Sequence, residues 1–413
     1  MKENIAALTE KAMQLTKTVT TRWTSRIAGS SACLESADFL REYVEKFCDE
    51  TEIHPFKVRP AAFLGYLKIN VFFYFATIVA LFFQQFVVAA ILAIISIVIM
   101  VFEFYFFKEF VDFLFPEKDG KNVLGTIEPN AQVKQQIILS GHHDSAHIFN
   151  FLTNDPSSYV RKIMIASLAF YVSAITCLVL LGLQWANYVN PILTYIVMGV
   201  VIILGFWVGQ LLKFYRKEGT PGAGDNMICS AIAMEVGRHF SDEKKSGNGL
   251  KHTRIVVASW DAEEAGLRGA RAYVKKHKVS LQSLKTYNFN LECMYDHKEL
   301  GLITSDINGF VKHSSAMVDE GIAIGKQLGY VIKKVDFPLF AGGTDAAEFS
   351  KMGVEATTLA GMSWESIRDF PAYHTPRDTI EAVDSKAVEM SIALSIQYVL
   401  EKDKQLRHRK SAQ

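Results

Sequence analysis

Two adjacent glutamates, Glu263 and Glu264, follow the apolar run Ile255-Val256-Val257-Ala258 in the stretch TRIVVASWDAEEAGLRGARAYV. The run reads as a buried strand, and Ala265, Gly269, Ala270 and Ala272 mark the helix after it. Carboxylates at the carboxyl end of such a strand lie where open α/β sheets place their ligands. Side chains diverge at that junction, so one glutamate can hold a metal while its neighbour moves a proton. An acidic first turn that complements a helix dipole is the other reading. The pair alone leaves both open.

Further acids and histidines occupy similar places. His142 and Asp144 follow a predicted strand at Gln136–Ser140, Asp225 precedes a predicted helix through Met227–Arg238, and Glu292 ends a predicted strand at Tyr287–Leu291. His374 lies in Tyr373-His374-Thr375-Pro376. Singly, each has an ordinary explanation: His142 and His143 as loop caps, Asp225 as a helix start, Glu292 as a strand-end carboxylate, His374 as a surface histidine. Together they make a set of oxygen and imidazole donors that suits zinc or a similar divalent ion better than calcium. The sequence has no HExxH, which excludes the helix-borne zinc protease motif. Gly219, Gly222 and Gly224 lack the strand context and the lysine of a nucleotide-binding loop.

The elements that position this set sit in a chain of 413 residues, 50% hydrophobic and 21% charged, with a formal net charge of +1. A near-neutral balance argues for no nucleic-acid partner. The five cysteines, Cys33, Cys48, Cys177, Cys229 and Cys293, are odd in number and scattered without a CxxC pair. The pattern by itself indicates neither a disulfide framework nor a thiolate zinc site, and reduced thiols in a cytosolic setting are the simplest account. The amphipathic, charged N-terminus is not expected to be a signal peptide. Residues up to about Phe56 read as two helices around a Gly/Ser break at Arg26–Ser31. A strand is expected near Glu355–Leu359 and a closing helix from about Ser385 to Gln405.

Hydropathy is uneven. No charged residue occurs from Ile69 to Phe102 or from Ile163 to Leu212. As one straight helix the first run would reach roughly 50 Å, against a hydrocarbon core of about 30 Å. Gln84-Gln85 divides it into spans near Ala62–Phe83 and Phe86–Phe106. The second run breaks at Gln184–Pro191, where Trp and Tyr suit an interfacial turn, giving spans near Ile163–Leu183 and Ile192–Leu212. The expected organisation is one domain in three parts (1–61, 108–161 and 214–413), with transmembrane hairpins at 62–107 and 162–213.

The ordered motifs HxD, GxxD-N, D-x-EE-xGLxGxxAY, NL-[DE]-M, TD-xxxF and YHTPxDT resemble those of the two-zinc exopeptidase family, which includes secreted bacterial aminopeptidases, glutamate carboxypeptidase and the related glutaminyl cyclases. Arg26–Ser30 with the following helix also resembles that family's N-terminal segment. The resemblance implies an α/β fold with a mostly parallel central sheet flanked by helices, here interrupted by two transmembrane α-helical hairpins. It implies two Zn2+ ions: His142 and Glu292 on one, Glu264 and His374 on the other, and Asp225 bridging. Glu263 would be the general base, Asp144 the partner of the other His142 nitrogen, and Tyr373 the donor to the tetrahedral oxyanion. Asn226 would follow Asp225 through a cis peptide, and Asp345 with Phe349 would support the site. Position 292 is Glu where the aminopeptidases carry Asp, which alters how this carboxylate meets a substrate amino group.

The expected function is therefore a zinc-dependent peptidase embedded in the bilayer, acting on peptides as an aminopeptidase. The alternatives are a glutaminyl-cyclase-like acyltransferase and an inactive membrane scaffold. Retention of every ligand position argues against both. Lys57, Arg59, Lys68, Lys108, Lys118 and Lys121 flank the first hairpin and Arg161, Lys162, Lys213, Arg216 and Lys217 the second, whereas neither turn holds Lys or Arg. Short basic flanks stay in the cytoplasm, so a multi-pass cell-membrane protein is expected, with termini and catalytic domain cytoplasmic and the turns outside. The sequence does not set the oligomeric state.

Overall fold

The computed structural model describes residues 2–364 and 366–408. They fall into two compact units: those within 1–60, 117–148 and 217–413 form one, and those within 61–116 and 149–216 form the other.

The first unit is built on a nine-stranded sheet. Its strands are β1 (Glu50–Val58), β2 (Lys118–Ile127), β3 (Gln135–His142), β4 (Thr253–Trp260), β5 (Lys285–Met294), β6 (Gly301–Asp306), β7 (Val311–Lys312), β8 (Lys333–Asp336) and β9 (Glu355–Gly361). The spatial order is β1-β2-β4-β3-β5-β9-β6-β8, with β7 paired to β6. The four central strands β4, β3, β5 and β9 run parallel. Antiparallel pairs β1–β2, β2–β4 and β9–β6 flank them. The sheet is thus mixed: a parallel centre, antiparallel neighbours on both sides, and a further parallel pair β6–β8 at one edge. All eight residues of β3 are buried, as expected of a strand covered on both faces. Polar side chains cross this core in pairs: Ser140 Oγ donates to Asn290 Oδ1 at 2.8 Å and Asn288 Nδ2 to Ser140 Oγ at 2.9 Å. A slip of one residue would turn these groups to the other face and leave them unpaired.

Two helices, Lys2–Arg22 and Ser31–Glu45, precede the sheet. Ser30 caps the second by accepting from the Cys33 N–H. The expectation of only helices up to Phe56 fails at β1. Its sequence ETEIHPFKV carries Pro55 and alternating exposure, which suits a sheet edge where a missing N–H costs nothing. The helix Ile228–Lys245 lies buried against the sheet, and Gly237 leaves the room that Val257 fills: a Cβ there would stand 2.4 Å from Val257 Cγ1.

The second unit contains four helices long and apolar enough to cross a membrane: Pro60–Phe82, Phe86–Tyr105, Pro156–Trp185 and Pro191–Lys213. The first two are joined through Gln84 in a left-handed conformation (φ 54°) and the last two through Asn187 (φ 57°). Asn190 caps the fourth, accepting from the Ile192 and Leu193 N–H groups, with Pro191 in its first turn. Ala89, Ala90 and Ala93 pack with Ala174 and Cys177, small residues that let helices approach closely. Large apolar side chains such as Phe72, Ile175, Ile203 and Phe206 point outward.

Candidate metal centre

The candidate residues converge at the carboxyl ends of the central strands. His142 ends β3, Glu263 and Glu264 follow β4, and Glu292 lies near the end of β5. Asp225 comes from the turn that opens the buried helix. The start of that helix can approach β3 because residue 141 is glycine: a Cβ there would lie 2.7 Å from the Cys229 carbonyl carbon and the Ser230 nitrogen. His374 joins from the loop after β9.

Asp225 occupies the middle. Its Oδ1 is 3.4 Å from His142 Nε2 and its Oδ2 is 3.1 Å from His374 Nε2. Around His142 Nε2 stand Glu292 Oε1 at 3.5 Å and Glu263 Oε2 at 3.7 Å, while Glu264 Oε1 is 3.4 Å from His374 Nε2. Buried polar atoms normally find hydrogen-bond partners. Here His142 Nε2, Asp225 Oδ2, Glu264 Oε1 and Glu292 Oε2 are buried and make no hydrogen bond. Unpaired imidazole and carboxylate atoms facing one another at these distances fit a divalent cation held between them.

The charges agree. Burial pushes the Glu263 carboxyl well up, opposed by the His142 charge and reinforced by Glu292 and Glu264. Burial likewise raises Glu264 and lifts Glu292 to about 7. His142 is raised well above the usual imidazole range: burial opposes its charged form, but the Glu263 charge and contacts with Asp144, Asp225 and Glu292 prevail. Asp225 is held below the carboxylate range, its two histidine contacts outweighing its burial. Carboxyls crowded into a buried space share protons with histidine, and a bound dication inverts that balance.

Supporting contacts hold the set in place. The Glu263 and Glu264 N–H groups donate to Asp144 Oδ1 and Oδ2, each at 3.1 Å. His142 Nδ1 is 3.2 Å from Asp144 Oδ1. One carboxylate thereby ties the end of β3 to both glutamates. Asn226 Nδ2 donates to the Leu291 carbonyl at 3.0 Å and its Oδ1 accepts from Cys293 N–H at 3.3 Å, linking the Asp225 turn to the strand that carries Glu292. The Asp225–Asn226 peptide is cis. Ala262, Cys293 and His374 are non-glycine residues with φ of 60°, 48° and 52°, local strain of the kind that collects at functional sites.

Three supports had no assigned role in the sequence reading. Asp378 accepts from Gly224 N–H at 2.8 Å and Asp225 N–H at 3.2 Å, and burial lifts its carboxyl to about 8. It lies in the YHTPxDT motif, a signal that was present without an assigned task. Arg26, fully buried, donates to the carbonyls of Trp23, His143, Pro221 and Gly222, joining the loop after β3 to the turn before Asp225. Asp261 accepts from the Lys121 N–H at 2.9 Å. Asp345 is buried with neither carboxylate oxygen hydrogen-bonded, and burial raises it well above its usual range. Phe349 packs on Trp260 at 5.8 Å between ring centroids, and the Tyr373 ring lies 4.1 Å from that of His374.

Residues 208–399 match the model of Peptidase family M28. A probable glutamate carboxypeptidase, LAMP1, of Arabidopsis thaliana is 26% identical over 184 residues, 41% of this chain and 25% of that protein. Aminopeptidase YwaD of Bacillus subtilis is 25% identical over 175 residues, 42% of this chain and 36% of its own. The matched stretch therefore spans a quarter to about a third of these relatives' lengths. Among solved structures, Porphyromonas gingivalis glutaminyl cyclase aligns with a TM-score of 0.57 at 12% identity, covering 95% of this chain and 98% of its own. The Legionella pneumophila LapA aminopeptidase aligns with a TM-score of 0.54 at 12% identity, covering 97% and 73%. At that identity the likeness is one of fold.

Proposed function

From the match of residues 208–399 to Peptidase family M28, we propose that this chain is a membrane-embedded, zinc-dependent peptidase that removes residues from the N-termini of peptides. The observation that carries the reading is Asp225, whose two oxygens address His142 and His374 separately. Such a carboxylate can serve two ions at once. His142 and Glu292 would hold one zinc, Glu264 and His374 the other, and Asp225 would bridge them. Zinc supplies a Lewis acid that lowers the pKa of water and polarises a carbonyl.

The remaining steps belong to the chain's own residues. Glu263 takes the proton of the attacking water and delivers it to the leaving amine. Its position is fixed through its own N–H by Asp144, and burial favours a carboxyl able to carry that proton between steps. Asp144 orients the His142 ring so that Nε2 faces the site. Tyr373, its ring tilted against that of His374, donates to the developing oxyanion. Glu292, one methylene longer than Asp, sets how the α-amino group of a peptide is received. Asp345 and Asn226 position the elements on either side.

A glutaminyl-cyclase-like acyl transfer is the second reading, supported by the fold likeness. The presence of both histidine–carboxylate halves favours hydrolysis over it, and over an inactive scaffold.

The membrane reading rests on four apolar helices whose outward side chains suit hydrocarbon. Basic flanks and lysine-free turns favour termini and catalytic unit in the cytoplasm. The test is metal content per chain measured together with turnover of unblocked, N-acetylated and N-terminal glutamine peptides. Two zinc ions and cleavage of the unblocked set are expected. Pyroglutamate formation without cleavage would transfer the assignment to the cyclase, and bound zinc with no turnover of any peptide would leave a scaffold.

A further inference from the structure

Behind the metal centre lies a second cluster with donors of a different kind. Cys33, His143 and Asp261 each offer a ligand atom, and these atoms all lie within 4.8 Å of one another. All three residues have no exposed surface. Cys33 Sγ is 3.2 Å from Asp261 Oδ1. Asp261 Oδ2 is occupied by the Lys121 N–H, so Oδ1 is the oxygen turned to the thiol. His143 Nδ1 is 2.9 Å from Ser259 Oγ, which leaves Nε2 as the other ring nitrogen, and that atom is buried without any hydrogen-bond partner. A buried imidazole nitrogen left unpaired is costly. No group in the proposed reaction uses it.

We infer that Cys33, His143 and Asp261 form a separate site for one thiophilic divalent cation. Thiolate, imidazole and carboxylate together select zinc or cobalt over magnesium or calcium. On binding, the thiol proton leaves to solvent and the metal–sulfur bond takes its place; nothing is oxidised or reduced. The cluster joins three places that carry the first site: the start of the helix Ser31–Glu45, the loop after β3 next to His142, and the loop after β4 two residues before Glu263. An ion there would fasten these loops from behind without touching substrate. The inference stands apart from the proposed peptidase activity, because the two sites differ in their donor atoms.

That difference supplies the test. The candidate centre in front has five ligands bearing only nitrogen and oxygen, so cobalt in it shows no sulfur-to-metal charge transfer. Stripped full-length protein would be titrated with Co2+ while near-ultraviolet absorption and bound metal are followed. One ion per chain should develop a thiolate charge-transfer band. Cys33→Ser and His143→Gln should each lose one equivalent, Cys33→Ser with complete loss of the band. Cys293→Ser should keep it; Cys293 is the necessary control because it lies near Asp225 and Glu292. Saturated wild-type protein with no thiolate band overturns the inference, even if Cys33→Ser does not fold. So does a band that survives Cys33→Ser or vanishes in Cys293→Ser. A band with no metal bound in front would keep this site and remove the peptidase reading, whereas two ions without a band would do the reverse.

Discussion

Asp144→Asn changes one atom at the point where three donors meet. In the structure Oδ1 receives the Glu263 N–H and faces His142 Nδ1, while Oδ2 receives the Glu264 N–H. An asparagine side chain fills the same space but offers one oxygen and one NH2. Whichever way it turns, its NH2 faces a backbone N–H, so at least one buried donor loses its acceptor. That loss costs about 1–3 kcal/mol of folding stability. The second cost falls on the metal. A ligating histidine whose partner is removed loses about 10–100-fold in metal affinity, or roughly 1.4–2.7 kcal/mol. Chelator competition on purified wild-type and Asp144→Asn protein would measure the affinity, and thermal unfolding of the stripped proteins the stability. Both should fall, and restoring saturating zinc should recover a good part of the turnover because Glu263 is retained. Unchanged zinc affinity with unchanged stability would show that Asp144 holds neither the ring nor the glutamates, and the reasoning for the whole site would fail with it.

Glu263→Gln should keep both metals and lose about 10²–10⁴-fold in turnover, the scale of general-base catalysis; Glu264→Gln should in addition weaken one metal, and full activity in both variants would contradict the division of labour. His54 is held down to about 4 by burial, helped by the Lys276 and His277 charges, and its Nδ1 is 3.2 Å from Asn122 Nδ2. A depressed imidazole contributes stability that is present above its unfolded pKa of about 6.5 and lost as pH falls through its folded value. The unfolding temperature should therefore drop between pH 6.5 and 4, and His54→Gln should flatten that part of the profile; parallel wild-type and variant profiles would assign the acid sensitivity elsewhere. For topology, a cysteine at Asn187 should react with an impermeant thiol reagent in intact cells and one at Ser246 should not. The reverse pattern would invert the orientation.

The candidate site could be picked out in the sequence because metal chemistry limits residue type. In the proposed roles His142, Asp225, Glu263, Glu264, Glu292 and His374 would have to be imidazole or carboxylate, and each follows a strand or opens a helix whose apolar run is visible. The four apolar helices were legible for a related reason: two long runs without a charged residue mark them. What escaped was geometry without a compositional signature. β1 alternates like a solvated edge and carries Pro55, so it resembles a loop. Arg26 gave no sign that its guanidinium would be spent entirely on carbonyls, nor Asp378 that it would grip two backbone N–H groups. The antiparallel flanks of the sheet also left no mark, since strand direction is set by connections rather than by side-chain pattern.

The unit that carries the candidate metal centre is assembled from three separate stretches of chain, within 1–60, 117–148 and 217–413. β3, with His142, is synthesised before the second apolar pair, whereas β4 and β5, its neighbours on either side, come after it. A ribosome therefore releases β3 with no partner on either edge, and the strand stays unpaired until more than a hundred further residues have emerged. His374 arrives later still. On the proposed reading, a chain interrupted before that point would lack one ligand position, so the interruption would act as a timing device: any cleaving capacity would follow the emergence of both apolar pairs.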